Sequence, residues 1–172
     1  MSTLPLHTLT EEDPRHDFGA VIAQRGLDLS PRSPTTLQIN ITALCNQACR
    51  HCHVDSSPSR TEALPGEAID RVIDILSRHP GIGTLDITGG APELHADFER
   101  LARAARSLGR TVIVRHNLTV NTEGNPQTGE SKDHLPDLFA ELGLEVVCSL
   151  PYYQEFFTDK QRGSGVFQKS IA

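Results

Sequence analysis

The chain has 172 residues, 37% of them hydrophobic, no tryptophan and a formal net charge of −6, a size that suits one well-filled core rather than several domains. The acidic balance, with no basic stripe, excludes the electrostatic footprint of a nucleic-acid or anionic-membrane binder, and no run approaches the roughly 18 apolar residues of a membrane span. The opening residues lack the basic and apolar segments of a secretory signal, so a cytoplasmic protein is expected.

Residues 1–34 are polar and broken by Pro5, Pro14, Pro31 and Pro34. Within them Phe18, Val21, Ile22 and Arg25 recur at helical spacing, which predicts a short helix stopped at Gly26 in an N-terminal extension. A repeating unit occupies 35–172. Residues 36–42 alternate as a strand; Pro65-Gly66-Glu67 opens a helix carrying Ile69, Val72, Ile73 and Ile75, closed by Pro80-Gly81. A second strand over 84–88 ends on Gly89-Gly90, and the next helix places Phe98, Leu101, Ala104, Ala105 and Leu108 on one face with Gly109 as its cap. A third strand covers 111–114, a long polar loop 118–133, a third helix 135–142 stopped by Gly143, and a fourth strand 144–150. Residues 163–172 read as a helix cut short, so the chain is expected to be a fragment. Strands alternating with helices imply βαβ units and a parallel sheet, an α/β fold.

Chemistry concentrates where the first strand ends. Cys45, Cys49 and Cys52 stand in a C-x3-C-x2-C spacing, while Cys148 lies far along the chain. Clustered cysteines in a reducing compartment read as metal ligands rather than as a disulfide framework. Three thiolates on one tight loop can hold three corners of a [4Fe–4S] cube and leave one iron open to a small molecule. The rival is structural zinc, with the three cysteines and His51 or His53 as a Cys3His set in a non-catalytic binding domain. Gly89-Gly90 follows the second strand, Asn117 the third and Ser149 the fourth, so all four features fall at the carboxyl end of the sheet, where α/β proteins build their sites.

Other polar residues carry plainer expectations. Cys148 fits a small buried core position. His7, His16, His79, His95 and His134 are expected to be solvated, as is the helix face of Glu67, Asp70 and Asp74. His116 ends a strand on the site face and is open to either role. Asp86 either faces the interior near the site or is a satisfied buried acid.

The cysteine spacing at the end of a first strand, followed one βα unit later by Thr88-Gly89-Gly90, resembles the radical S-adenosylmethionine (radical SAM) superfamily across roughly 35–172. The resemblance implies a partial (β/α) barrel, here truncated after about four of its six βα units. It implies that Cys45, Cys49 and Cys52 hold a [4Fe–4S] cluster, that SAM binds the remaining iron, and that one electron from an external donor such as a flavodoxin or ferredoxin cleaves SAM to methionine and a 5′-deoxyadenosyl radical. The family's Gly-Gly-Glu-Pro motif stands here as Gly89-Gly90-Ala91-Pro92-Glu93. A backbone role toward the SAM ammonium survives at Gly89 and Gly90, whereas Ala91 replaces the usual acid and Glu93 lies two residues on. Asn117 matches a family position at the end of the third strand. Ser149 and Arg162 are candidates for the ribose and carboxylate, and His51 for the adenine contact before the third cysteine. Thr88–Leu94, Val114–Thr119 and Ser149–Tyr153 resemble the arsenosugar biosynthesis radical SAM proteins, which join the adenosyl group to methylated arsenic. Those are about twice this length, so the chain would be their N-terminal half, without the last barrel strands and the second domain. A small-molecule substrate is implied.

Overall fold

The computed structural model describes residues 17–172; the expectations placed on His7 and His16 lie outside them. Two compact units divide the chain, Met1–Ser33 and Pro34–Ala172. In the first, helix α1 (Phe18–Gln24) is started by Asp17, whose carboxylate accepts the Ala20 N–H at 3.1 Å.

The second unit runs β1 (Thr36–Asn40), α2 (Gly66–Arg78), β2 (Thr84–Thr88), a 3-10 turn (Pro92–Leu94), α3 (Phe98–Ser107), β3 (Thr111–His116), α4 (Val120–Glu123), α5 (Leu135–Leu142), β4 (Glu145–Cys148), α6 (Glu155–Arg162) and α7 (Val166–Ile171). The four strands form one parallel sheet in the order β1-β2-β3-β4, with Leu37 beside Leu85, Ile87 beside Val114 and His116 beside Cys148. One face of the sheet presents Leu85, Ile87, Val112 and Val114, all fully buried. Helical spacing brings Ile69, Val72 and Leu76 of α2 and Phe98, Leu101, Ala102 and Ala105 of α3 into the same core. Each large aliphatic side chain so buried contributes about 1.5–3 kcal/mol.

Arginines on α3 and beyond tie the helices together. Arg106 donates to the Leu142 carbonyl at 2.7 Å and Arg110 to the Leu76 carbonyl at 2.8 Å, satisfying carbonyls at the carboxyl ends of α5 and α2. Arg100 pairs with Asp70 and Arg103 with Glu141, each at 2.6 Å, but these exposed pairs are worth at most about 1 kcal/mol each. They align helices more than they stabilise them. Asp70 and Asp74 are indeed on a solvated face, as is Glu67.

Several expectations are corrected. The polar stretch 118–133 contains α4, because Val120 is fully buried and anchors one turn. Helix α6 was not anticipated from the sequence. β1 stops at Asn40 because Thr42 turns away to bridge Ala63. β4 covers only Glu145–Cys148, and Cys148 is exposed, not core: β4 is an edge strand, and all four of its residues are exposed. His95 is buried rather than solvated. Its Nδ1 accepts the Asp97 N–H at 3.0 Å, which leaves Nε2 to donate to the Leu64 carbonyl at 2.9 Å. Among the described residues no helix is long and apolar enough to cross a membrane.

Candidate functional site

The loop after β1 is held by its backbone. Ala43 N–H donates to the Glu62 carbonyl at 2.8 Å and Cys45 N–H to the Ser57 carbonyl at 3.2 Å, while Thr42 Oγ1 accepts the Leu44 N–H at 3.0 Å. A turn then closes with Cys52 N–H on the Cys49 carbonyl at 3.1 Å. Arg50 N–H reaches the Gln161 carbonyl at 3.1 Å, so α6 is fastened to the cysteine loop and its last residue, Arg162, arrives beside it.

The sulfurs collect hydrogen-bond donors. Cys45 Sγ accepts Gln47 N–H at 3.4 Å and Asn117 Nδ2 at 3.5 Å, and Cys52 Sγ accepts Ser56 N–H at 3.3 Å. Burial pushes the Cys45 thiol up to about 11 against those bonds, and burial raises Cys49 as well, with the Arg162 guanidinium opposing it. Cys45, Cys49 and Cys52 line one cavity of about 340 Å³ together with Gly89, Gly90 and Asn117. Among the described residues no three His, Cys, Asp or Glu side chains converge on a position for a single metal ion.

The two glycines are explained first by backbone crossing. The β2 end runs against the cysteine loop: Gly90 N–H donates to the Thr42 carbonyl at 2.7 Å and Ala91 N–H to the Leu44 carbonyl at 2.9 Å. A Cβ on Gly89 would lie 2.5 Å from the Thr42 oxygen, and Gly89 has φ +150°; a Cβ on Gly90 would lie 2.9 Å from the Ala43 oxygen. Only glycine permits this approach.

Asn117 sits at the centre of a buried amide network. Its Nδ2 also donates to Asn46 Oδ1 at 2.6 Å, its Oδ1 accepts from Thr119 Oγ1 at 3.2 Å, and Gln47 Nε2 donates to Thr119 Oγ1 at 2.8 Å. Glu93, almost wholly buried, accepts the Asn117 N–H at 3.1 Å and stands behind the strand end rather than in the cavity. His116 Nδ1 lies 2.8 Å from Glu93 Oε1, close but poorly aligned for a hydrogen bond, and its ring meets Phe139 edge-on. His51, His53 and Ser149 are exposed residues lining the same cavity. Asp86 is a satisfied buried acid, accepting from Gln38 Nε2 at 2.7 Å and from Arg115 Nη2 at 2.7 Å. Arg115, Asn46, Gln47 and Thr119 went unread in the sequence; the run Arg115-His116-Asn117-Leu118-Thr119 was the available signal for two of them.

Residues 39–171 match the family model of the Radical SAM superfamily. A probable GTP 3′,8-cyclase of Pyrococcus abyssi is 32% identical over 121 residues, covering 70% of this chain and 36% of its own length. An AdoMet-dependent heme synthase of Oleidesulfovibrio alaskensis is 30% identical over 110 residues, 62% of this chain and 28% of its own. The chain thus spans about a third of the length of such relatives. The crystal structure of Streptococcus suis SuiB bound to S-adenosylmethionine superposes with a TM-score of 0.59 at 19% identity, over 77% of this chain and 29% of SuiB. That likeness shows a shared α/β fold, the parallel four-stranded sheet being consistent with part of a barrel. The chain belongs to the radical SAM superfamily, whose enzymes use a [4Fe–4S] cluster and SAM.

Proposed function

We propose that residues 35–172 carry the cluster- and SAM-binding core of a radical SAM enzyme, with 1–34 as an extension. Cys45, Cys49 and Cys52 would hold the [4Fe–4S] cluster, and Gly89, Gly90, Asn117, Ser149 and His51 would contact SAM. One observation carries this: three thiols, two of them already accepting N–H bonds, line a single cavity beside the Gly89-Gly90 crossing. The donor set fits. Three cysteine sulfurs from one loop can take three corners of a cube, and Cys148 is not among the residues lining the cavity, which leaves a fourth iron position without a protein sulfur.

A [4Fe–4S] cluster held by Cys45, Cys49 and Cys52 would supply the one-electron reducing chemistry toward SAM that the family uses. The chain's own residues bind and orient. At Cys45 the Gln47 N–H and Asn117 Nδ2 donors favour thiolate over thiol, as ligation requires. Arg162 offers its guanidinium to the methionyl carboxylate from beside Cys49. The backbone at Gly89 and Gly90 can approach the ammonium closely, a role made heavier by Ala91 being fully buried and without a carboxylate. An external flavodoxin or ferredoxin as electron donor, and a cytoplasmic setting in which clustered cysteines stay reduced, complete the reading. The segments Thr88–Leu94, Val114–Thr119 and Ser149–Tyr153 support the narrower assignment to arsenosugar biosynthesis, with methylated arsenic receiving the adenosyl group.

The test is anaerobic reconstitution of the 172-residue chain followed by reduction with dithionite in the presence of SAM. 5′-Deoxyadenosine should form, and Cys49→Ala should reduce it to background. Cleavage that survives Cys49→Ala, or stoichiometric zinc in place of iron, overturns the assignment.

A further inference from the structure

The cavity has a one-sided charge inventory. Arg115 and Arg162 line it, with His51, His53 and His116, and no aspartate or glutamate does. The nearest acid by bonding, Asp86, is 6% exposed at its side chain and lies behind Arg115, whose own side chain is 46% exposed.

Arg115 is fixed along one edge. Its Nε donates to Asp86 Oδ1 at 3.0 Å and its Nη2 to Asp86 Oδ2 at 2.7 Å, while Gln38 Nε2 also donates to Oδ2 at 2.7 Å. Among the described residues nothing engages Nη1. If the guanidinium swung away, Asp86 would be left as a buried charge with only an amide for company, so the fork is held where it is. A planar, pre-set donor edge is what carboxylates and phosphates recognise, and a fork already immobilised loses little entropy when an anion docks. Arg162 differs. Its Nε is buried and has no hydrogen-bond partner among the described residues, and its charge acts on Cys49, which places it at the cluster end of the cavity. Arg115 lies opposite Val147 in the sheet register, on the sheet face it shares with Asp86 and Gln38.

We propose that Arg115, buttressed by Asp86, is an oxyanion subsite, and that the molecule taken up beside SAM is a small substrate bearing a carboxylate, phosphate or similar oxyanion. That this molecule is the substrate rests on the radical SAM reading of the cavity; the anion subsite itself does not. Because the Asp86–Arg115 pair is neutral as a unit, attraction comes from directed N–H donors rather than from net charge. Oxyanions should therefore be preferred over halide at equal ionic strength.

The measurement follows the arginine Nε–H resonances of the 15N-labelled chain during titration with inorganic phosphate, ionic strength being held constant with sodium chloride. It is made on the metal-free and on the reconstituted protein. The Arg115 signal should shift saturably with phosphate and not with chloride. Arg115→Gln should abolish the saturable phase seen elsewhere in the cavity, and Arg115→Lys, which keeps the charge but loses the fork, should weaken it about ten-fold. Shifts that grow linearly, that chloride reproduces, or that survive both substitutions overturn the subsite. A chain that binds phosphate but accepts no cluster sinks the radical SAM reading and leaves the subsite standing. A chain that cleaves SAM but shows no saturable phosphate binding does the reverse.

Discussion

At Cys45 two influences oppose each other: burial favours the neutral thiol, while Gln47 N–H and Asn117 Nδ2 favour the thiolate. Burial dominates in the metal-free chain, and the pKa stands near 11 against an ordinary 9.0. A group raised on folding adds stability that is fully present below its unfolded pKa and is lost as pH climbs through its folded value. The metal-free protein should therefore lose about 2–3 kcal/mol between roughly pH 9 and 11, measured by urea unfolding across that range. Cys45→Ser should flatten the slope; an unchanged slope would mean that another group is responsible. Glu93 allows a second test. Glu93→Gln keeps an acceptor for Asn117 N–H, whereas Glu93→Ala orphans it, so the alanine variant should be the less stable by about 1–2 kcal/mol in the same assay. The cysteines and glycines were readable from the sequence because their meaning lies in local spacing. The pairings Glu93 with Asn117 and Asp86 with Arg115 were not, because they span 24 and 29 residues and depend on which way a strand end faces.

Helices α2, α3 and α5 were legible because a buried stripe forces the 3.6-residue period into the sequence. Helix α6 offers no such stripe. Phe156 and Phe157 are adjacent and exposed, and Thr158 is its buried residue, donating from Oγ1 to the Tyr152 carbonyl at 2.8 Å. Its position comes from tertiary bonds, above all Arg50 N–H to Gln161, which no periodicity reports. The first and fourth strands were overdrawn at their ends, where backbone partners change: Thr42 leaves the sheet for Ala63, and β4 pairs on one side only; β2 has the expected bounds, and β3 runs two residues beyond the expected 111–114, to His116. Crossing elements also explain the glycine pair. Gly90→Ala drives a Cβ against the Leu44 and Ala43 carbonyls and disturbs the Gly90–Thr42 bond, so it should destabilise by about 2–4 kcal/mol. Thermal unfolding read by circular dichroism checks this. A near-neutral Gly90→Ala would show that the two loops can part without loss.

On the scale of the whole described unit, site and core occupy different parts of one sheet. The buried face carries the aliphatic core, while the carboxyl ends carry the thiols, the amide network and the arginines. β4 is left as an open edge with Val146 and Val147 about two-fifths exposed, and Tyr153 and Phe156 add apolar surface beyond it. Such an edge is a template for pairing with another chain. The 172-residue protein should self-associate as its concentration rises, and Val146→Lys should suppress this in sedimentation velocity runs; association unaffected by the lysine would place the contact elsewhere. The most direct test of the cavity as a cluster site is the EPR spectrum of the reconstituted, reduced chain with and without SAM. A [4Fe–4S] signal that changes when SAM is added, and that Cys49→Ala removes, is the expected result. A chain that takes up no iron, or a cluster signal that SAM leaves untouched, would contradict an open iron held by Cys45, Cys49 and Cys52.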